Sequence, residues 1–195
     1  MAAAGKHKSR IRIIAGRFRG RKIPVPDLPG LRPSGDRVRE TLFNWLQTEI
    51  TGANCLDLFA GSGALGMEAA SRGAGRVLLI DSKRVLIENL ETLAADWKAD
   101  SIELLHADAL KWLADYRAGP AFDLVFVDPP FEQQLQQQVL ERLAACGLVK
   151  AGGLVYVETA ARDISVLPPA DWQLEKDKTI GEVQLQLFRV PSQAG

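Results

Sequence analysis

Between residues 55 and 159 the chain alternates short apolar runs with amphipathic stretches, and this alternation restricts its fold more than any other feature. The apolar runs are 55–59, 76–81, 102–106, 122–127 and 153–159. Each reads as a strand, and the run 122–127, with five apolar residues among six, as one buried on both faces. The intervening spacing predicts a turn and helix over 60–71 and helices over 83–97, 109–116 and 133–146. Strand and helix in turn require βαβ crossovers, hence an α/β, Rossmann-like, doubly wound and mostly parallel sheet. The end of the chain departs from this rule. Residues 172–179 and 182–190 are separated only by Ile180 and Gly181, which predicts a hairpin and an antiparallel finish to the sheet.

The run 122–127 stops abruptly on Asp128-Pro129-Pro130-Phe131. Neither proline can donate a ladder hydrogen bond, so the strand ends there and the nearby carbonyls face whatever lies above the sheet. An acid, proline carbonyls and an aromatic face suit a flat heterocycle with an exocyclic amine. The plainer reading is a solvated acid followed by a proline turn.

A glycine loop lies on the same predicted rim. Asp57-Leu58-Phe59-Ala60-Gly61-Ser62-Gly63-Ala64-Leu65-Gly66 follows a strand and opens a helix, and Gly61, Gly63 and Gly66 fit a G-x-G-x-x-G pattern that lets backbone approach a ligand. Alone this pattern is weak. Asp81 closes the next strand, where a carboxylate meets ribose hydroxyls, and Asp108 follows the third, beside an adenine edge. Three strand-end acids and a glycine loop describe an adenosine-containing cofactor. Nicotinamide dinucleotide accounts for the glycines and Asp81, but S-adenosylmethionine also accounts for Asp57 and for Asp128-Pro129-Pro130-Phe131. No Ser/His/Asp constellation is present, and the two histidines are His7 and His106.

The 195 residues, 47% hydrophobic and 25% charged, suit an ordinary globular protein with one substantial core. Cys55 and Cys146 stand far apart in no metal-binding spacing, which predicts neither disulfide framework nor metal site and fits a reducing cytoplasm. No apolar run approaches a membrane span. The net charge of zero conceals an asymmetry: residues 1–39 hold eleven Lys or Arg against two Asp, +9, which the remainder balances. A basic arm on an acidic body is suited to a polyanion. Residues 1–9 are expected to be a solvated tail. Residues 10–16 and 17–26 read as two β segments whose alternation makes one face apolar and the other cationic, able to lie along RNA. Asp36 then stands as a candidate N-cap before Val38, Leu42, Trp45, Leu46 and Ile50, an amphipathic helix. Residues 1–30 are thus set off as a basic arm and β extension from a main domain over 31–195.

Taken in order, residues 12–22, 31–46, 57–66 and 128–131 resemble the bacterial 16S ribosomal RNA guanine-N2 methyltransferase D family, which modifies guanine 966. The segment Arg37-Val38-Arg39-Glu40-Thr41-Leu42-Phe43-Asn44-Trp45-Leu46 carries most of the specificity. The resemblance implies a class I methyltransferase fold, S-adenosylmethionine as donor with S-adenosylhomocysteine as product, and 16S RNA in a partly or fully assembled small subunit as partner. No membrane partner is implied, and the expected working unit is a monomer. By matching position, Arg39, Glu40 and Thr41 flank the cofactor, and Asp57, Phe59, Ala60, Gly61, Ser62 and Gly63 form its loop. Asp81 holds the ribose, Asp108 and Ala109 border the adenine, and Asp128, Pro129, Pro130 and Phe131 hold the target base. Arg12, Arg17, Arg19, Arg21, Lys22 and Arg32 are expected to meet RNA. Two departures stand out: Asp81 replaces the commoner Glu, a shorter reach, and Ser34-Gly35 replaces a pair of threonines. Methylation of an adenine or a glutamine amide, a nicotinamide-dependent oxidoreductase and a non-catalytic RNA-binding assembly factor remain the alternatives.

Overall fold

The computed structural model describes residues 7–28, 35–117, 119, 121–130, 134–163 and 166–192. Its main sheet contains β3 (Asn54–Asp57), β4 (Arg76–Asp81), β5 (Ile102–His106), β6 (Phe122–Val127), β7 (Val149–Ala160), β8 (Gln173–Ile180) and β9 (Val183–Arg189) in the order β5-β4-β3-β6-β7-β9-β8. The pairs from β5 through β7 are parallel, while β9 runs antiparallel to both β7 and β8. The predicted doubly wound sheet with an antiparallel end is therefore the observed one. β3 and β6 are neighbours whose connections leave in opposite directions, so the topological switch point lies between Asp57 and Asp128.

Alternation along the strands sorts the core into two layers. Cys55, Leu79, Leu124, Phe126 and Tyr156 pack on one face with α1 (Asp36–Trp45), α2 (Ala64–Ser71) and α3 (Arg84–Trp97). Leu56, Ile80, Val125, Val127 and Val157 pack on the other with α4 (Ala109–Asp115) and α5 (Gln136–Cys146). The expected amphipathic helix forms over Asp36–Trp45, stopping short of Leu46 and Ile50, and Asp36 does not cap it. Gly35 takes the N-cap position without a side-chain bond, and the Asp36 carboxylate is drawn to Arg39 at 2.6 Å. A charge-assisted bond to a buried guanidinium outcompetes a local cap.

The N-terminal segment forms a hairpin of β1 (His7–Arg12) and β2 (Lys22–Pro26), with Ile11 opposite Ile23. Residues 7–9, expected in a solvated tail, are paired into this hairpin; residues 1–6 lie outside the described chain. The described part of the extension, residues 7–28, packs against the main domain. Ile11, Ile13, Phe18, Ile23 and Val25 are buried in the same core layer as α1 to α3. A row of hydrogen bonds fastens it to α2. Glu68 accepts from the Ile14 and Ala15 amides at 2.8 and 3.0 Å, the Ser71 hydroxyl accepts from Phe18 N–H at 2.9 Å, and the Ser71 carbonyl from Arg17 N–H at 2.7 Å. Gly16 is obligatory here: its φ is +81°, and a Cβ would stand 1.8 Å from the Ser71 carbonyl oxygen.

Candidate active site

The carboxyl ends of β3, β4 and β6 gather the predicted acids on one rim. Asp57, at the end of β3, is 1% exposed, and one carboxylate oxygen accepts from Gly66 N–H at 3.2 Å. Its other oxygen, Oδ1, is buried without a hydrogen-bond partner among the described residues. Burial pushes this carboxyl up to about 7, with the charges of Asp128 and Asp81 adding to the shift and the Phe59 and Gly66 amides opposing it. A buried acceptor with an oxygen to spare, on a face shared with Asp128, suits a cationic ligand group. Such a group is what the ammonium and sulfonium of S-adenosylmethionine would supply.

Asp81 carries a second task that the sequence did not reveal. Its Oδ2 accepts from Gly61 N–H at 2.8 Å and its Oδ1 from Lys83 N–H at 2.8 Å, so it braces the glycine loop and the start of α3. Each carboxylate oxygen can accept more than one hydrogen bond, so ribose hydroxyls remain compatible with this geometry. The Gly61 to Gly63 loop turns tightly beneath α2, with Gly63 N–H donating to the Ala60 carbonyl at 2.7 Å. Gly63 has φ +82°, and a Cβ there would meet the Leu90 side chain at 2.4 Å. Phe59 is half-buried and Ser62 buried at this turn. Asp108 is exposed and accepts from Lys111 N–H at 2.9 Å, capping α4, while the adjoining Ala109 is buried.

Arg39 departs from expectation. It is fully buried: its guanidinium contacts Glu68 at 3.3 Å, Asp36 at 2.6 Å and the Arg12 carbonyl at 3.0 Å. A buried charge has to be paired, and Glu68 supplies the counter-charge while also accepting from Arg72 at 2.8 Å. The only sequence signal for this network was a lone Glu in the otherwise small and apolar stretch Ala64–Ser71. On the same helix Glu40 is exposed and Thr41 partly buried. Phe43, one turn on, lies 6.1 Å from Phe126 between ring centroids, which sets α1 over β6.

Asp128 is partly exposed at the end of β6, Pro129 is buried and Pro130 exposed. Phe131 lies outside the described residues. Two residues of the neighbouring strand were missed: the Tyr156 hydroxyl donates to Glu158 Oε2 at 3.0 Å, and Glu158 is 2% exposed. Burial first, then the charges of Glu158 and Asp128, raise the Tyr156 phenol well above its ordinary range. On the hairpin, Arg12, Arg17, Arg19, Arg21 and Lys22 are all exposed, and Arg32 lies outside the described residues. The Arg21 guanidinium sits 5.5 Å from the Phe18 ring centroid and 5.4 Å from that of Trp97, and Arg17 sits 5.1 Å from Phe18.

A family model described as "Conserved hypothetical protein 95" matches residues 11–189. The "Ribosomal RNA small subunit methyltransferase D" of Escherichia coli strain K12 is 44% identical over 183 residues, 94% of this chain and 91% of that protein. The chain belongs to the ribosomal RNA small subunit methyltransferase D family. A solved Escherichia coli structure, 42% identical, superposes with a TM-score of 0.86 and covers 95% of this chain and 100% of the other. The fold also matches an RNA methyltransferase from Salinibacter ruber in complex with S-adenosyl-L-homocysteine, at a TM-score of 0.63 and 15% identity over 84% of this chain and 97% of that one. The class I methyltransferase architecture is thus common to members of this family and to distant methyltransferases.

Proposed function

We propose that this protein transfers a methyl group from S-adenosylmethionine to the exocyclic N2 of a guanine in 16S ribosomal RNA of the small subunit, the position known in the family as guanine 966. The observation that carries this reading is the pair of carboxylates at the switch point: buried Asp57 with an oxygen to spare, and partly exposed Asp128 at the end of the neighbouring strand. When bound there, S-adenosylmethionine supplies an electrophilic methyl on a sulfonium that is already a good leaving group. Asp57 holds the charged amino-acid end, the Gly61 to Gly63 turn allows close backbone approach, and Asp81 meets the ribose while bracing that turn. Asp128 and the Pro129 carbonyl accept from the guanine amine. That amine is delocalised into the purine, so two fixed acceptors orient its lone pair for in-line attack and stabilise the charge that develops on it. Asp128 also serves as acceptor for the proton that nitrogen must lose.

A nicotinamide dinucleotide fits the rim less well, because its pyrophosphate would lie over a loop flanked by Asp57, Asp128 and Asp81. The exposed Arg12, Arg17, Arg19, Arg21 and Lys22 supply the RNA-binding face. The test is transfer of labelled methyl to small-subunit particles, followed by digestion to nucleosides. The expected product is N2-methylguanosine from 16S RNA. Label on an adenine, on protein, or nowhere would reject the proposal.

A further inference from the structure

Two cations of the hairpin are held differently from the others. The turn that carries them has a fixed backbone: Arg17 and Phe18 donate their amides to Ser71 on α2, Arg21 N–H donates to the Phe18 carbonyl at 3.0 Å, and the Arg21 carbonyl accepts from Ile13 N–H at 2.9 Å. The Phe18 ring meets that of Trp97, the last residue of α3, with centroids 5.4 Å apart and planes tilted by 50°. The Arg21 guanidinium carbon lies 5.5 Å from the first centroid and 5.4 Å from the second, so cation and rings form a nearly equilateral triangle. Arg17 lies 5.1 Å from the Phe18 centroid. Both rings are buried, and both arginines are exposed. The exposed Arg19 and Lys22 lie over no aromatic ring among the described residues. Attraction to a ring face holds a guanidinium without using its N–H groups, and among the described residues neither Arg17 nor Arg21 has an ion pair or a side-chain hydrogen bond.

We propose that Phe18 and Trp97 form a platform that holds Arg21 ready for an RNA phosphate, with Trp97 a positioning residue that acts through Arg21. The inference deepens the proposed function and rests on the hairpin being the face that meets RNA. A guanidinium stays charged at any working pH, and its planar fork matches two phosphate oxygens. A side chain ordered before RNA arrives loses less freedom on binding than one loose in solvent. Arg17 and Arg21 share the Phe18 ring without a neutralising carboxylate, which favours an anion over the neutral edge of a base. The contact therefore sets where the RNA backbone lies and carries no sequence preference of its own.

Arg21→Lys keeps the charge but gives up the planar fork and most of the hold of the rings. In equilibrium binding to small-subunit particles its affinity should fall about 3- to 10-fold. The slope of log affinity against log salt should match wild type, because the number of neutralised phosphates is unchanged. Trp97→Leu should also lower affinity at an unchanged slope, and Trp97→Tyr, which keeps a π face, should recover most of the loss. If Trp97 acts through Arg21, adding Trp97→Leu to Arg21→Lys should cost little beyond Arg21→Lys alone. In single-turnover methylation these losses should appear as a higher half-saturating particle concentration and not as a lower maximal rate. Wild-type affinity in Arg21→Lys or in folded Trp97→Leu, or losses from the two that multiply in full, would overturn the inference. Should Trp97→Leu fail to fold, Trp97→Met, which keeps bulk without a π face, takes its place under the same criteria. A variant with Arg17, Arg19, Arg21 and Lys22 all replaced by Ala separates the two readings. An unchanged salt slope there rejects the hairpin as the RNA-binding face, whereas a shallower slope beside wild-type affinity in Arg21→Lys rejects only the platform.

Discussion

Replacing Asp57 by Asn should make the unliganded protein's stability less sensitive to pH. Asp57 is 1% exposed, and its carboxyl is pushed from 3.8 to about 7, chiefly by burial and next by Asp128. The folded state therefore keeps a proton that the unfolded chain has already lost between those two pH values. Stability contributed by this group falls as pH rises through that window and is level below and above it. The full cost above pH 7 is about 4 kcal/mol, accumulating at about 1.4 kcal/mol per pH unit. Asn has no such titration, though its buried N–H adds a constant penalty of about 1 to 3 kcal/mol if it finds no acceptor. The readout is therefore the difference between variant and wild type as a function of pH. Between pH 5 and pH 8 the variant should gain about 2.7 kcal/mol on the wild type, nearly all of it below pH 7. Urea unfolding of both proteins at half-unit intervals, with linear extrapolation, measures it. A difference that stays flat across the range would refute the claim that a strained buried carboxylate underlies this site. Cofactor titration should show the opposite preference, with weaker S-adenosylmethionine binding in Asp57→Asn, since in the proposed function the group that destabilises the empty fold is the one that meets the ligand's charge.

Three other outcomes are expected. Asp81→Ala removes the acceptor for Gly61 and Lys83 N–H as well as the proposed ribose partner, so calorimetry should show cofactor affinity weaker by about 1.5 to 3 kcal/mol with a folded protein; unchanged affinity would leave Asp81 a brace only. Gly16→Ala would force a Cβ to within 1.8 Å of the Ser71 carbonyl at φ +81°, so thermal unfolding should show a loss of about 1 to 3 kcal/mol or more. Arg19→Ala with Lys22→Ala removes two exposed charges from the hairpin, and the slope of log RNA affinity against log salt should become shallower by about 0.7 to 0.9 for each phosphate the hairpin no longer neutralises, with melting temperature unchanged.

The sheet, its hairpin end and the acids on its rim were legible from the amino-acid order because each depends on local patterning. Short apolar runs alternating with amphipathic stretches favour the strands of a parallel sheet, although β5, at the sheet edge, has none of its residues buried, and a strand's last residue falls on the same rim as those of its parallel neighbours. So Asp57, Asp81 and Asp128 were placed without coordinates. The Glu68–Arg39 pair, the second task of Asp81 and the Tyr156–Glu158 pair were not legible. Glu68 and Arg39 are 29 residues apart and Ile14 and Glu68 are 54 apart, and no periodicity in either segment states that they meet. Arg39 was expected to flank the cofactor from its matching position in the family. Tertiary packing instead buried it against α2, where desolvation makes an unpaired guanidinium prohibitive and so dictates its partners. The hairpin shows the same division. Its alternation announced one apolar and one cationic face, but that the apolar face would close over α2 beside the glycine loop follows from hydrogen bonds to Glu68 and Ser71, which exist only once the chain has folded back on itself.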